Sequence, residues 1–132
     1  MVEVRELRIG NFILHDDKIC EVCAIYSNGL MDISTIDSYI VKERNNILIE
    51  PIPITEELLL KCGFTKEYYG FYCDIMELSY GRFLCNDDTD KDNLFLSINN
   101  AEYIISGVSF KYLHQIQNIY YGLTGRELEV KL

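Results

Sequence analysis

The chain has no tryptophan, two prolines and two histidines in 132 residues. It is also short of positive charge: 12 Lys and Arg stand against 21 Asp and Glu, for a net charge of −9. A nonspecific nucleic-acid binder needs cations to displace counterions from phosphates, and an anionic membrane surface makes a similar demand. Direct nucleic-acid or membrane binding is therefore not expected. No run approaches the roughly 18 apolar residues of a membrane span. Residues Met1–Arg8 (MVEVRELR) have no apolar stretch behind them, so no secretory leader is expected. The motifs of common active sites are missing too: there is no GxSxG, phosphate loop or HExxH. A catalytic histidine needs an activated nucleophile or an orienting carboxylate, and no motif supplies one to His114. A non-catalytic protein without a cofactor is the expectation.

Cysteine is present but unorganised. Cys20, Cys23, Cys62, Cys73 and Cys85 make an odd count. Without a leader this suggests free, mostly buried thiols in a reducing cytoplasm. Cys20 and Cys23 match a CxxC pattern, but no second ligand pair exists for zinc. They lie in a strand pattern, where a spacing of three puts the thiols on opposite faces. The acidic stretch Asn86–Asn93 resembles a calcium loop only in its alternating acids. Asn93 and Asn99 stand where such a loop needs its glycine and its bidentate glutamate. It reads as a solvated hairpin loop, and no metal is expected.

Hydrophobic residues make up 48% of the chain, so it folds rather than staying disordered. Strand patterns run over Arg8–His15, Lys18–Tyr26, Leu30–Ile36, Tyr39–Lys42 and Ile47–Glu50, broken by Asp16-Asp17 and by Ser27-Asn28-Gly29. Short strands at this density predict a small, strongly bent barrel of the SH3-like kind. Pro51 and Pro53 end it, which sets an expected division into residues 1–52 and 53–132 of one compact unit. Thr55 then caps a short helix, Glu56–Cys62, with Gly63 just past its end. An aromatic hairpin or bulged strand over Phe64–Ile75 follows, then a strand from Tyr80 to Cys85. A hairpin pairs Leu94–Ile98 with Ala101–Ile105, and Glu127–Leu132 alternates like a closing strand. The fold class is α+β, with one long helix near the C-terminus.

That helix carries the least ordinary pattern in the chain. It is expected over Ser109–Gly125, with Ser109 as N-cap and Gly125 just past its end. Leu113, Ile116, Tyr120 and Leu123 form an apolar stripe. From Tyr112 to Gly125 there is no charge at all, in a chain that is 25% charged. His114, Gln115, Asn118 and Tyr121 occupy the other side, and all are uncharged hydrogen-bonders. A solvated helix face would carry Glu and Lys, so this one is expected to be covered by the protein, a partner or a ligand. Arg5 and Arg8 are the paired cations near the N-terminus and the first candidates to hold an anion, with Asn11 beside them.

Three segments resemble the signature segments of a family of small proteins from gut Bacteroidetes and their phages and mobile elements. They are Leu7–Phe12 (LRIGNF), Pro51–Phe64 (PIPITEELLLKCGF) and Leu113–Leu128 (LHQIQNIYYGLTGREL). The resemblance brings no activity with it. It implies the setting of a phage-type accessory gene, acting on host proteins or on the nucleotide signals of host defence. Two readings follow. In the first, a cytoplasmic homo-oligomer binds a small nucleotide-like ligand, with Arg5, Arg8, Asn11, His114, Gln115, Asn118 and Tyr121 at the site. In the second, the chain is a protein-interaction module that inhibits a host protein through its acidic surface, including by mimicry of nucleic acid.

Overall fold

A computed structural model describes residues 2–37, 39–67, 70–73, 76–80, 94–98 and 104–132. It is an α+β fold that divides into two compact units. One comprises Met1–Pro53 with Tyr112–Glu127, the other Ile54–Lys111 with Leu128–Leu132. The long helix therefore belongs with the residues before the prolines, whereas the sequence alone grouped it with those after them.

In the first unit a 3-10 turn, Val4–Glu6, precedes β1 (Phe12–His15), β2 (Lys18–Ile25), β3 (Met31–Thr35) and β4 (Ile40–Arg44). A second 3-10 turn, Asn46–Leu48, leads into β5 (Ile49–Glu50). The sheet is antiparallel throughout, in the order β4-β3-β2-β1-β5. Asp16 and Asp17 join β1 to β2 at φ 49° and 61°. Two left-handed residues give a turn whose twist matches the strands, and Asp tolerates that region better than most residues. Alternation then puts Ile13, Cys20, Val22, Met31, Ile33 and Ile49 into a core that also takes in Val2 and Leu7. Cys23 is the extra residue where the β2–β3 register shifts; it is exposed while Cys20 is buried, so the two thiols do face opposite ways.

The closed barrel expected from the sequence is not formed among the described residues. The sheet is open, with β4 and β5 as its edges. The 3-10 turn uses up residues that the sequence pattern assigned to a strand, and the two residues left in β5 are too few to close a seam.

The helix α2 spans Leu113–Thr124 and buries Leu113, Ile116 and Tyr120. Gly125 takes the left-handed conformation just past its end, and its N–H donates to the Tyr121 carbonyl at 2.8 Å. Its start differs from expectation. Ser109 pairs with Phe95 inside a strand, so Tyr112 is the N-cap residue, and Gln115 Oε1 accepts from the Tyr112 N–H at 3.1 Å. Strand pairing outweighed the local capping preference of serine.

The second unit holds α1 (Glu56–Lys61) and the strands β6 (Thr65–Glu67), β7 (Gly70–Cys73), β8 (Met76–Tyr80), β9 (Leu94–Ile98) and β10 (Ile104–Phe110). They form a second antiparallel sheet in the order β10-β9-β8-β7-β6. Thr55 Oγ1 accepts from the Leu58 N–H at 3.1 Å, the expected cap. Leu58, Leu59, Cys62, Phe64, Phe71 and Leu128 are buried. Burial pushes the Cys62 thiol up to about 12, so it stays protonated. Glu127–Leu132 is not a strand; Lys131 N–H donates to the Lys61 carbonyl at 2.8 Å without forming a ladder. The acidic stretch Asn86–Asn93, Cys85 and the turn at Asn99-Asn100 lie outside the described residues. No helix among the described residues is long and apolar enough to cross a membrane.

Candidate functional site

The residues singled out on α2 and near the N-terminus meet in the first unit, and the reason lies in the backbone. β1 begins only at Phe12, so the irregular stretch from Glu6 to Phe12 has polar groups without a ladder partner. Backbone groups buried in that condition are costly and must be paired. The amide side chains of α2 do this. Gln117 Nε2 donates to the Gly10 carbonyl at 3.1 Å, and Gln117 Oε1 accepts from the Phe12 N–H at 2.9 Å. One side-chain amide thus serves two backbone groups two residues apart, as a neighbouring strand would. Asn118 Nδ2 donates to the Glu6 carbonyl at 2.9 Å.

Asn11 is fully buried and ties this stretch together. Its Oδ1 accepts from the Arg8 N–H at 2.8 Å, and its Nδ2 donates to Asn118 Oδ1 at 2.7 Å. Gly10, at φ 99°, supplies the turn between Arg8 and β1.

Arg8 faces outward. Its guanidinium makes a two-pronged ion pair with Glu127, through Nη1 to Oε1 and through Nη2 to Oε2 at 3.0 Å. It lies 4.3 Å from the centre of the Tyr121 ring, a cation–π contact. The hydrogen bond to Glu127 holds the Arg8 pKa above its ordinary value.

His114 is different. It is 1% exposed, its ring stacks on Tyr112, and neither ring nitrogen has a hydrogen-bond partner among the described residues. Nε2 stands 3.7 Å from the Glu6 carboxylate, too far for a hydrogen bond. Burial pushes the His114 pKa below its ordinary value; the Glu6 charge pulls the other way and does not prevail.

Of the residues nominated from sequence, Arg8, Asn11, His114, Asn118 and Tyr121 come together. Gln115 sits at the helix start and Arg5 is exposed in the first 3-10 turn. Sequence reasoning passed over Gln117, Glu6 and Glu127. Gln117 had a signal: a lone amide set between Ile116 and Tyr120 on the buried side of the helix.

A second polar arrangement shapes β4. Asp32 is a buried acid on β3. Its Oδ2 accepts from the Tyr26 hydroxyl at 2.7 Å and its Oδ1 from the Glu43 N–H at 2.9 Å. The Tyr26 hydrogen bond, then that of Glu43, holds the Asp32 carboxyl below the usual range. Glu43 has φ 53°, and the β3–β4 register shifts there. This bulge lies on the edge strand β4, whose other end carries Ile40 and follows the turn with Ile36 and Tyr39, all three exposed.

Among the described residues no group of three or more His, Cys, Asp or Glu side chains could hold a metal ion. No family model, curated protein or solved structure matches the chain.

Proposed function

We propose that the protein is a non-catalytic interaction module whose β4 edge receives an extended, basic segment of another protein. One observation carries this reading. Ile36, Tyr39 and Ile40 are 70%, 71% and 51% exposed, and they cluster where β3 turns into the edge strand β4. A strand edge offers unpaired backbone donors and acceptors, and flanking apolar side chains add pockets for alternate residues. The net charge of −9 on the chain as a whole favours a basic partner by long-range attraction. The open strand order is also that of an SH3-like barrel split at one seam, and we include that fold relation in the proposal. The setting of a phage or mobile-element accessory factor in the cytoplasm, acting on a host protein, belongs to the same proposal.

The competing reading is a small nucleotide-like ligand held by Arg8 and stacked on Tyr121. The exposed face of that pair favours it. Against it, Glu127 already occupies the guanidinium fork, and Asn11 and Asn118 spend their amides on each other and on backbone.

Fluorescence anisotropy with a labelled, alternating Lys-Val peptide tests the proposal, with an alternating Glu-Val peptide as control. Binding of the first only, lost in Tyr39→Asp and Ile40→Asp, is the expected result. Absence of binding, or binding that both variants retain, refutes it. Nucleotide binding abolished by Arg8→Ala favours the competing reading.

A further inference from the structure

We propose that Glu6 and His114 form an acid-operated clasp that fastens the N-terminal segment to α2. Three geometric facts meet here. The imidazole is buried with both nitrogens unpartnered among the described residues. The Glu6 carboxylate, 52% exposed, stands 3.7 Å from Nε2. The Glu6 backbone is already anchored, because its carbonyl accepts from Asn118 Nδ2, one helical turn beyond His114. The carboxylate therefore needs to move no more than about 1 Å to reach the distance of a charge-assisted hydrogen bond.

At neutral pH the imidazole is uncharged, since burial disfavours its protonation. On acidification Nε2–H carries charge, and the contact becomes a charge-assisted hydrogen bond of the strong kind. Few other charges compete. α2 has no acid in its first turn and no base in its last, and no ionised side chain lies between Leu113 and Thr124. β1, which packs against α2, carries His15, and the acid beside His15 is its own neighbour Asp16 at 3.6 Å. Tyr112 contributes its ring face. Glu6 is thus the group on the 3-10 turn that senses the His114 proton.

Two opposite effects result. Native stability falls with pH below the ordinary histidine value, because the unfolded chain takes up the proton more readily than the buried ring. Within the native state, the N-terminal turn tightens as His114 is protonated. Local tightening during global weakening is the signature of the clasp, and simple acid destabilisation lacks it.

Histidine NMR titration and amide exchange on the full chain test the proposal. The His114 midpoint should lie below the ordinary histidine value and drop further in Glu6→Gln. Exchange at Glu6 and Leu7, whose N–H groups donate to Glu3 and Val4, should slow several-fold across that midpoint after correction for intrinsic rates. Glu6→Gln should abolish the slowing, and so should His114→Phe, which keeps a flat ring and removes the proton. Identical His114 titrations in the wild type and Glu6→Gln overturn the clasp. So does exchange at Glu6 and Leu7 that ignores His114 protonation.

Discussion

Asn11 donates to Asn118 across 107 positions of sequence, at 2.7 Å, and so closes a chain of amides from the Arg8 backbone to the Glu6 carbonyl. The uncharged face of α2, whose Tyr121 stays exposed beside Arg8, is therefore covered by its own unit at His114 and in part at Asn118. Its amides take the place of a strand beside the irregular entry to β1, and the helix carries no charge there because ions would be stranded.

Stability should depend on these amides individually. Asn118→Ala leaves the Asn11 amide and the Glu6 carbonyl short of a partner, and is expected to cost about 1–3 kcal/mol. Gln117→Ala strands two backbone groups and should cost at least as much. Asn11 and Asn118 touch, so the double alanine variant should cost less than the sum of the singles. Urea denaturation of the wild type, the three single variants and the double variant measures all three quantities.

Gly10 is a sharper backbone test. At φ 99° any side chain is strained, although the atom nearest to a Cβ there, in the Glu127 carboxylate, stands at 3.5 Å, an ordinary contact. Gly10→Ala should therefore cost about 1–3 kcal/mol through conformation alone. Arg8→Ala, at a partly exposed ion pair, should cost less than about 1 kcal/mol, and the difference should shrink in high salt. A thermal melt series at two ionic strengths distinguishes the two kinds of effect.

Asp32 sets an acid-dependent component of stability. Its pKa is lowered in the folded state by the Tyr26 hydroxyl and the Glu43 N–H. The unfolded chain binds the proton more readily, so stability rises with pH in that range. The contribution is complete above the ordinary aspartate value and disappears as pH falls through the lower, folded one. Tyr26→Phe should lower the melting temperature most at neutral pH and least in acid, which flattens the acid limb of the profile. A parallel displacement of the whole profile contradicts this assignment.

Much of this was readable in the chain. Two-residue periodicity located β1 to β4 to within a few residues. Thr55, Gly63 and Gly125 marked helix ends because their chemistry is local. The absence of charge on α2 announced a covered face. What covers it was not readable, because the partners of Gln117 lie more than a hundred positions away. Ser109 and Glu127–Leu132 failed for a related reason. A capping serine and an alternating segment are local preferences; the strand pairing of Ser109 is a non-local fact that overrides the first, and Glu127–Leu132 pairs with no sheet edge among the described residues. Barrel closure also depends on which edges meet, and strand count does not report that.

Hydrogen exchange of the backbone amides, with and without the alternating Lys-Val peptide, tests the central claim most directly. The Phe12 amide, held by Gln117, should be protected in both states. The outward-facing amides of β4 should exchange quickly in the free protein and become protected when the peptide is bound. Protection of β4 before any peptide is added contradicts the proposed docking edge. So does a peptide response centred on Arg8 and Tyr121 while β4 stays unchanged.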